Sequence, residues 1–206
     1  MNKAVFIPLI VLTTLIILTA GCVSTSNDLA GTWTTGDYTN PDGTHYTKFV
    51  EVFNADGTGI ETAFLDNGTQ IIWNMTWIKT GDSTYVYSYE SWTATLSSDG
   101  KTCTYSGGWV YVRDEGTTGT GLVGNWTSSQ LYEYDGEFYS MKDVIRADNT
   151  GITTWTSANG TETWDFLWYK TGENTYYTTY TTSSVLVTMQ SDGTAKDNYG
   201  LIYKRS

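Results

Sequence analysis

The sequence contains little of what catalytic sites, metal centres and disulfide frameworks require. Its 206 residues include 1 His, 2 Cys and 2 Pro. With His45 as the single histidine, neither a Ser-His-Asp triad nor a His-ligated metal site has support. No phosphate-binding loop and no dinucleotide fingerprint occurs. These absences predict a non-enzymatic protein with no cofactor and no metal site.

Positive charge is also scarce. The chain has 11 Lys and Arg against 22 Asp and Glu, for a formal net charge of −11. Such an acidic chain is repelled by phosphate backbones, so we expect no nucleic-acid partner.

A long aliphatic run occurs only at the N-terminus. Lys3 precedes the apolar stretch 4–20, a length typical of a signal segment. Ala20-Gly21-Cys22 resembles a lipobox, which implies cleavage after residue 21 and a lipid on Cys22. We therefore predict a signal peptide at 1–21, a tether at 22–28 and a lipid-anchored protein on the outer face of the cell membrane. The alternative is an uncleaved N-terminal helix, which leaves the remainder on the same side.

The cysteine count follows from this assignment. Cys103 is the one cysteine left in the mature chain, so no intrachain disulfide is expected. Stability must then come from packing, and Cys103, flanked by Thr residues, is interpreted as a strand residue.

What the chain does contain is aromatic residues, glycine and an internal repeat. Its 9 Trp, 16 Tyr and 6 Phe suit a pleated surface, and its 21 Gly suit many tight turns. Segments of the first half recur in order in the second half, about 92 residues later. The matched segments are 29–33 with 122–126, 53–60 with 145–152, 73–81 with 164–172, 98–100 with 191–193, and 111–113 with 203–205.

Turn dipeptides and alternation define the fold class. Asp-Gly and Asn-Gly pairs, typical of two-residue hairpins, separate segments in which bulky residues alternate with polar ones. We predict an all-β protein with two tandem antiparallel meander barrels of seven to eight strands each. The predicted bounds are 29–113 for the first barrel, 114–121 for a linker and 122–206 for the second barrel.

Each repeat resembles the lipocalin-like (calycin) barrels. The resemblance rests on an opening Gly-x-Trp, at Trp33 and Trp126, and on an Arg of the last strand, Arg113 and Arg205. In that family the Trp and the Arg stack to close one end of the barrel. The resemblance implies the pairs Trp33 with Arg113 and Trp126 with Arg205, each gaining cation–π energy.

Alternation also places charged residues inside the barrels. Glu51 and its counterpart Asp143 lie between apolar inward positions, and Lys79 and Lys170 fall on the inward face of their own strand. We predict a structural carboxylate–ammonium pair in each barrel, because unpaired buried charges are costly. The alternative is that these groups hold a polar ligand.

Four Asn-x-Ser/Thr sequons are candidate glycosylation sites in an exported chain. They are Asn67, Asn74, Asn125 and Asn159.

The sequence therefore favours a non-catalytic surface lipoprotein that binds a small hydrophobic molecule or has a structural role in the envelope. One alternative is a carbohydrate-binding module, which requires exposed tryptophan. Trp92 and Trp109 are the candidates, since neither has a Trp at its counterpart, but packing in the core is the favoured role for both. A second alternative is an inhibitor-type module that binds another protein. An empty cavity of roughly 300 Å³ or more would favour small-molecule binding.

Overall fold

The structure of the protein is a computed structural model that describes residues 29–40 and 42–206. The predicted signal peptide, 1–21, and the predicted tether, 22–28, with Cys22, lie outside the described residues. The prediction of an all-β protein with two antiparallel barrels of seven to eight strands is confirmed, and each barrel is closed and has eight strands in its wall. In the described part of the chain, no helix has the length and apolar character needed to cross a membrane.

One barrel, which we call the split barrel, uses strands from both ends of the described chain. Around its wall the order is β1-β18-β17-β16-β6-β5-β4-β3, and β3 pairs with β1 to close it. The short β2 adds to the free end of β3. The strands are β1 (Gly31–Thr35), β2 (Tyr38–Thr39), β3 (His45–Phe53), β4 (Thr58–Leu65), β5 (Gln70–Lys79), β6 (Thr84–Ser88), β16 (Ser184–Met189), β17 (Ala195–Asp197) and β18 (Ile202–Arg205).

The other barrel, which we call the central barrel, is one continuous stretch of chain. Its order is β10-β9-β8-β7-β15-β14-β13-β12, closed by pairing of β12 with β10, with β11 added to β12. The strands are β7 (Ser91–Leu96), β8 (Thr102–Tyr105), β9 (Val110–Arg113), β10 (Gly124–Ser128), β11 (Tyr132–Tyr134), β12 (Glu137–Ile145), β13 (Thr150–Ser157), β14 (Gly160–Lys170) and β15 (Thr175–Tyr180).

The predicted barrel boundaries, 29–113 and 122–206, are therefore wrong. They bound the sequence repeats, but the repeats exchange their last three strands. Strands β7–β9 of the first repeat complete the barrel that contains β10–β15 of the second repeat. Strands β16–β18 of the second repeat complete the barrel that contains β1–β6 of the first repeat. The central barrel, 91–180, is thus inserted between the two parts of the split barrel.

Turn chemistry explains why the chain passes from one barrel to the other between β6 and β7 and between β15 and β16. Hairpins between consecutive paired strands carry Gly or Asn, as at Asp56-Gly57 and Asn67-Gly68, which tolerate the positive φ of tight turns. The connections β6–β7 and β15–β16 are Tyr89-Glu90 and the 3₁₀ turn Thr181–Ser183, and neither contains Gly or Asn. A tight hairpin is therefore disfavoured at both places, and the chain continues into the neighbouring barrel.

Hydrogen bonds join the two crossing segments to each other. Thr179 Oγ1 lies 2.7 Å from Ser88 Oγ and 2.8 Å from the carbonyl oxygen of Glu90, and its one proton can be donated to either. Ser88 Oγ also lies 2.9 Å from the carbonyl oxygen of Ser183 and donates to it. These buried hydroxyls satisfy the backbone where it leaves one sheet for the other.

Candidate functional site

One end of each barrel is closed by a Trp–Arg stack, as the lipocalin-like resemblance implies, but with exchanged partners. The Arg205 guanidinium lies 4.6 Å from the ring centre of Trp33, and that of Arg113 lies 4.2 Å from Trp126. The predicted pairs Trp33–Arg113 and Trp126–Arg205 are wrong because each repeat donates its last strand to the other barrel. The strand registers confirm this, since Trp33 is opposite Arg205 and Trp126 is opposite Arg113.

The glycine of the Gly-x-Trp motif is explained by the same stack. Gly31 has φ +135°, and an added Cβ would lie 3.1 Å from Nη1 of Arg205. Gly124 has φ +143° and lies under Arg113 in the same way. A side chain at either position would be strained and would displace the guanidinium from the indole face.

At the end away from Trp33, the split barrel opens into a cavity of about 400 Å³, which we call the cup. This volume lies within the range of small-molecule sites in proteins. Inward-facing residues of the strands and residues of the second crossover form its wall. The aromatic lining residues are Tyr38, Phe49, Tyr87, Tyr89, Tyr199 and Tyr203, and the acidic ones are Glu61 and Asp197.

Two carboxyl groups face each other beneath the cup. Glu51 on β3 is directly opposite Glu61 on β4, and the two residues are 1% and 5% exposed. The Tyr87 hydroxyl oxygen lies 3.2 Å from Glu51 Oε1 and 3.4 Å from Glu61 Oε2, so its one proton can be donated to either carboxyl group. Tyr89 donates to Glu61 Oε2 at 2.8 Å. Burial, followed by the neighbouring Glu61 charge, raises the pKa of Glu51 well above its usual range, and burial raises the pKa of Glu61.

The second acid that lines the cup, Asp197, is held by the hairpin that follows it. Its Oδ1 accepts the backbone N–H groups of Tyr199 and Leu201 at 2.9 and 2.8 Å. Its Oδ2 accepts the hydroxyl of Tyr203 at 2.9 Å. These donors fix the carboxylate at the wall of the cup.

The central barrel has no comparable cup, because larger side chains fill the same positions. Its interior leaves a cavity of about 30 Å³. Matching strand registers show that three tryptophans replace smaller residues of the split barrel. The pairs are Val185 with Trp92, Leu201 with Trp109, and Ala63 with Trp155.

The acids are replaced along with the cavity. The counterparts of Glu51, Glu61 and Asp197 are Asp143, Thr153 and Tyr105. Asp143 alone remains acidic; it is 3% exposed, and Tyr105 donates to its Oδ2 at 3.0 Å. Burial raises the pKa of Asp143 to about 6.

The mouth of the central barrel carries an aromatic cleft instead, with a volume of about 440 Å³. Trp155 packs edge-on against Trp109 and Trp164, and Trp92 lies 5.6 Å from Trp109 between ring centres. Trp92 and Trp109 are both partly exposed at this cleft. Its other aromatic residues are Tyr134, Tyr139 and Tyr180, and its acids are Glu90, Asp135 and Glu162.

The predicted carboxylate–ammonium pairs are replaced by other contacts. Glu51 and Asp143 are buried and point inward, as predicted. Lys79 and Lys170, however, are exposed at the ends of β5 and β14, where the strands leave the barrel interior. The Lys79 ammonium lies 5.5 Å from the ring centre of Tyr85.

The remaining predicted residues fall as follows. Asn67, Asn74, Asn125 and Asn159 are all exposed, and their glycosylation stays a prediction.

Cys103 is buried in the core of the central barrel, and burial raises the pKa of its thiol to about 12. Within residues 29–40 and 42–206, no three His, Cys, Asp or Glu side chains are grouped so as to hold a metal ion.

Sequence reasoning missed Glu61 and Asp197. For Glu61 a signal existed, because it alternates with Gly59 and Ala63 on the inward face of β4. For Asp197 there was none, since β17 has three residues and too few positions to show alternation.

Comparison with known proteins finds no match: no family model, curated protein or solved structure is significantly similar to this chain. Two closed eight-stranded antiparallel barrels are consistent with a calycin-like fold. That likeness rests on barrel closure and on the Trp–Arg stacks.

Proposed function

We propose that the chain is a non-catalytic, membrane-anchored surface lipoprotein whose split barrel binds a small molecule in the cup. The observation that carries the proposal is the contrast between two barrels of common origin. One keeps an open cavity of about 400 Å³ that extends into the barrel as far as Glu61, while its partner fills the equivalent space with tryptophan, which leaves about 30 Å³ inside and a cleft of about 440 Å³ at the mouth. A purely structural pair of barrels gives no reason for one interior to stay open, because unfilled interior volume lowers stability.

The lining of the cup also suits a ligand. Aromatic rings provide apolar contact area, while a few fixed polar groups orient the bound molecule. In the split barrel these groups are the Glu61 and Asp197 carboxylates and the hydroxyls of Tyr87 and Tyr89.

The test uses the neutral fluorescent probe N-phenyl-1-naphthylamine with the purified mature protein. Wild type should bind it with increased, blue-shifted fluorescence. The double variant Val185→Trp/Leu201→Trp imports the residues of the filled barrel and should abolish binding. The reverse pair, Trp92→Val/Trp109→Leu, alters the central barrel and should leave binding in the cup intact. Equal binding by wild type and the cup-filled variant, or no binding by either, would contradict the proposal.

The aromatic cleft supports a second candidate function, carbohydrate binding. Partly exposed indoles next to carboxylates are the groups that stack on sugar rings and accept hydrogen bonds from their hydroxyls. Affinity electrophoresis in gels containing cell-wall polysaccharide should show retardation of wild type that is lost in Trp92→Ala. Unretarded wild type would remove this candidate.

The membrane anchor is proposed from Cys22, and lipid labelling tests it. A radiolabelled lipid precursor should tag wild type and leave Cys22→Ser unlabelled. Equal labelling of the two would favour the uncleaved N-terminal helix.

A further inference from the structure

We propose that the ligand of the cup carries a positively charged ammonium group, which lies between Glu61 and Asp197 and against the tyrosine rings around them. This inference rests on the proposed small-molecule function and names the chemical class of the ligand.

The charge of the cup has one sign. Glu61 and Asp197 line it, Glu51 lies directly behind Glu61, and no Lys, Arg or His is among the lining residues that the structure describes. The titratable groups that face these acids from the neighbouring strands are tyrosines, at Tyr87, Tyr89 and Tyr203. At the rim, His45 lies 2.8 Å from Asp66 and 3.8 Å from Asp37, so its ring already faces two acids of its own. The cup therefore presents uncompensated negative charge to any bound molecule.

Glu51 shows that this arrangement is incomplete without a partner. Its Oε2 is buried and accepts no hydrogen bond in the described part of the chain. Burial and the facing Glu61 charge raise the pKa of Glu51, because ionising two opposed buried carboxyl groups is costly. A cation bound beside Glu61 offsets that cost, because it lowers the potential felt by the two carboxyl groups.

The class of cation follows from the walls. The acids are not grouped as three ligands of a metal ion. Aromatic faces beside carboxylates instead match the recognition of ammonium groups, where the ring quadrupole attracts the cation and the acid neutralises it. The rings of Tyr87 and Tyr89, whose centres are 5.9 Å apart, meet edge to face next to Glu61.

The central barrel provides an internal comparison. Where the cavity is filled, Thr153 and Tyr105 stand at the positions of Glu61 and Asp197. The split barrel thus combines open volume with Glu51, Glu61 and Asp197, whereas the interior of the central barrel keeps about 30 Å³ and one acid, Asp143. This is expected if Glu61 and Asp197 serve a molecule that occupies the cup.

The test is displacement of N-phenyl-1-naphthylamine from the purified mature protein by a charged molecule and its neutral carbon isostere. Benzyltrimethylammonium and neopentylbenzene have the same shape and differ by one positive charge. At pH 7.5 the cation should displace the probe at a concentration at least tenfold lower than the isostere. In Glu61→Gln this preference should fall to less than threefold, while probe binding persists. Glu61→Gln should remain folded, since it removes one of two opposed charges, and a thermal melt checks this.

The matched control is Glu162→Gln, which neutralises an exposed acid at the aromatic cleft of the central barrel and should keep the full preference. Equal displacement by the two molecules, displacement by neither, or a preference unchanged in Glu61→Gln would each overturn the inference. In all three cases the probe still binds the cup, so the small-molecule function stands. If wild type itself did not bind the probe, the proposed small-molecule function would fail instead.

Discussion

The exchange of strands between repeats predicts which pieces of the chain fold alone. Fragment 90–181 contains all eight wall strands of the central barrel, and its ends lie together because Ser91 and Thr179 are paired neighbours. Fragment 121–206, the second sequence repeat, combines β10–β15 with strands that belong to the other barrel. We expect 90–181 to be a cooperatively folded monomer and 121–206 to be unfolded or marginally stable.

The expected difference can be worked out from the residues that would meet. If 121–206 closed on itself, Val185 and Leu201 would stand where Trp92 and Trp109 pack in the central barrel. Truncating a buried Trp to Ala costs about 3–5 kcal/mol, and Val or Leu restores part of the volume, so about 2 kcal/mol per site is a cautious figure.

A polar mismatch adds to this loss. Asp197 would replace Tyr105, so Asp143 would lose its hydroxyl donor and gain a second acid, at a cost of about 1–3 kcal/mol. The total of about 5–7 kcal/mol is comparable to the whole stability of a 90-residue domain, about 5–13 kcal/mol.

The assay is urea denaturation of both fragments, followed by Trp fluorescence and far-UV circular dichroism, with light scattering to establish the monomer. A rescue variant of 121–206 carrying Val185→Trp, Leu201→Trp and Asp197→Tyr restores the central-barrel residues and should recover a cooperative transition. The reasoning is refuted if unmodified 121–206 unfolds as a monomer with the midpoint of 90–181, or if the rescue substitutions add no stability.

Three further predictions concern single sites. A double-mutant cycle should give a coupling of about 0.5–2 kcal/mol for Trp33 with Arg205, and a value within about 0.5 kcal/mol of zero for Trp33 with Arg113. Because the pKa of Asp143 is raised to about 6, its carboxyl group holds an extra proton in the folded state between about pH 4 and 6. Its contribution to stability should fall by about 3 kcal/mol as pH rises through that range, in addition to the falls from Glu51 and Glu61, whose pKa values are also raised. Urea titrations at pH 4 and 7 should show a smaller fall in Asp143→Asn. The Cys103 thiol, buried with a pKa of about 12, should resist dithiobis(nitrobenzoate) at pH 8 in residues 29–206 and react on unfolding; rapid native labelling would contradict its burial.

Much of the fold is encoded locally and could be predicted. Alternating bulky residues and turn dipeptides specify the strands, and the repeated Gly-x-Trp and terminal Arg specify a plugged barrel. The exchange could not be predicted from these patterns, because β7 and β16 have equivalent positions in the two repeats and either could pair with β6. The sequence feature that distinguishes the two crossover connections, Tyr89-Glu90 and Thr181–Ser183, from the hairpins is their lack of Gly and Asn.

The cup was harder to predict than the barrel. Inward alternation identified Glu51 correctly, but it also predicted Lys79 as its partner. A strand position at the barrel end can satisfy the alternation and still extend into solvent, as Lys79 does. The partner that the structure provides, Glu61, has the same charge, and a rule based on pairing opposite charges could not have selected it.

The insertion of one barrel within the other also sets an order on biosynthesis. As the chain emerges from its N-terminus, the strands of the central barrel are complete by residue 180, while the split barrel still lacks β16–β18. Until residues 184–205 arrive, β1 and β6 each present an unpaired edge, the kind of surface that promotes aggregation. The cup, with Asp197 and Tyr203 in its wall, is therefore assembled last. A product truncated by two dozen residues would retain a finished central barrel, yet it would lack the complete cup and would have two exposed strand edges.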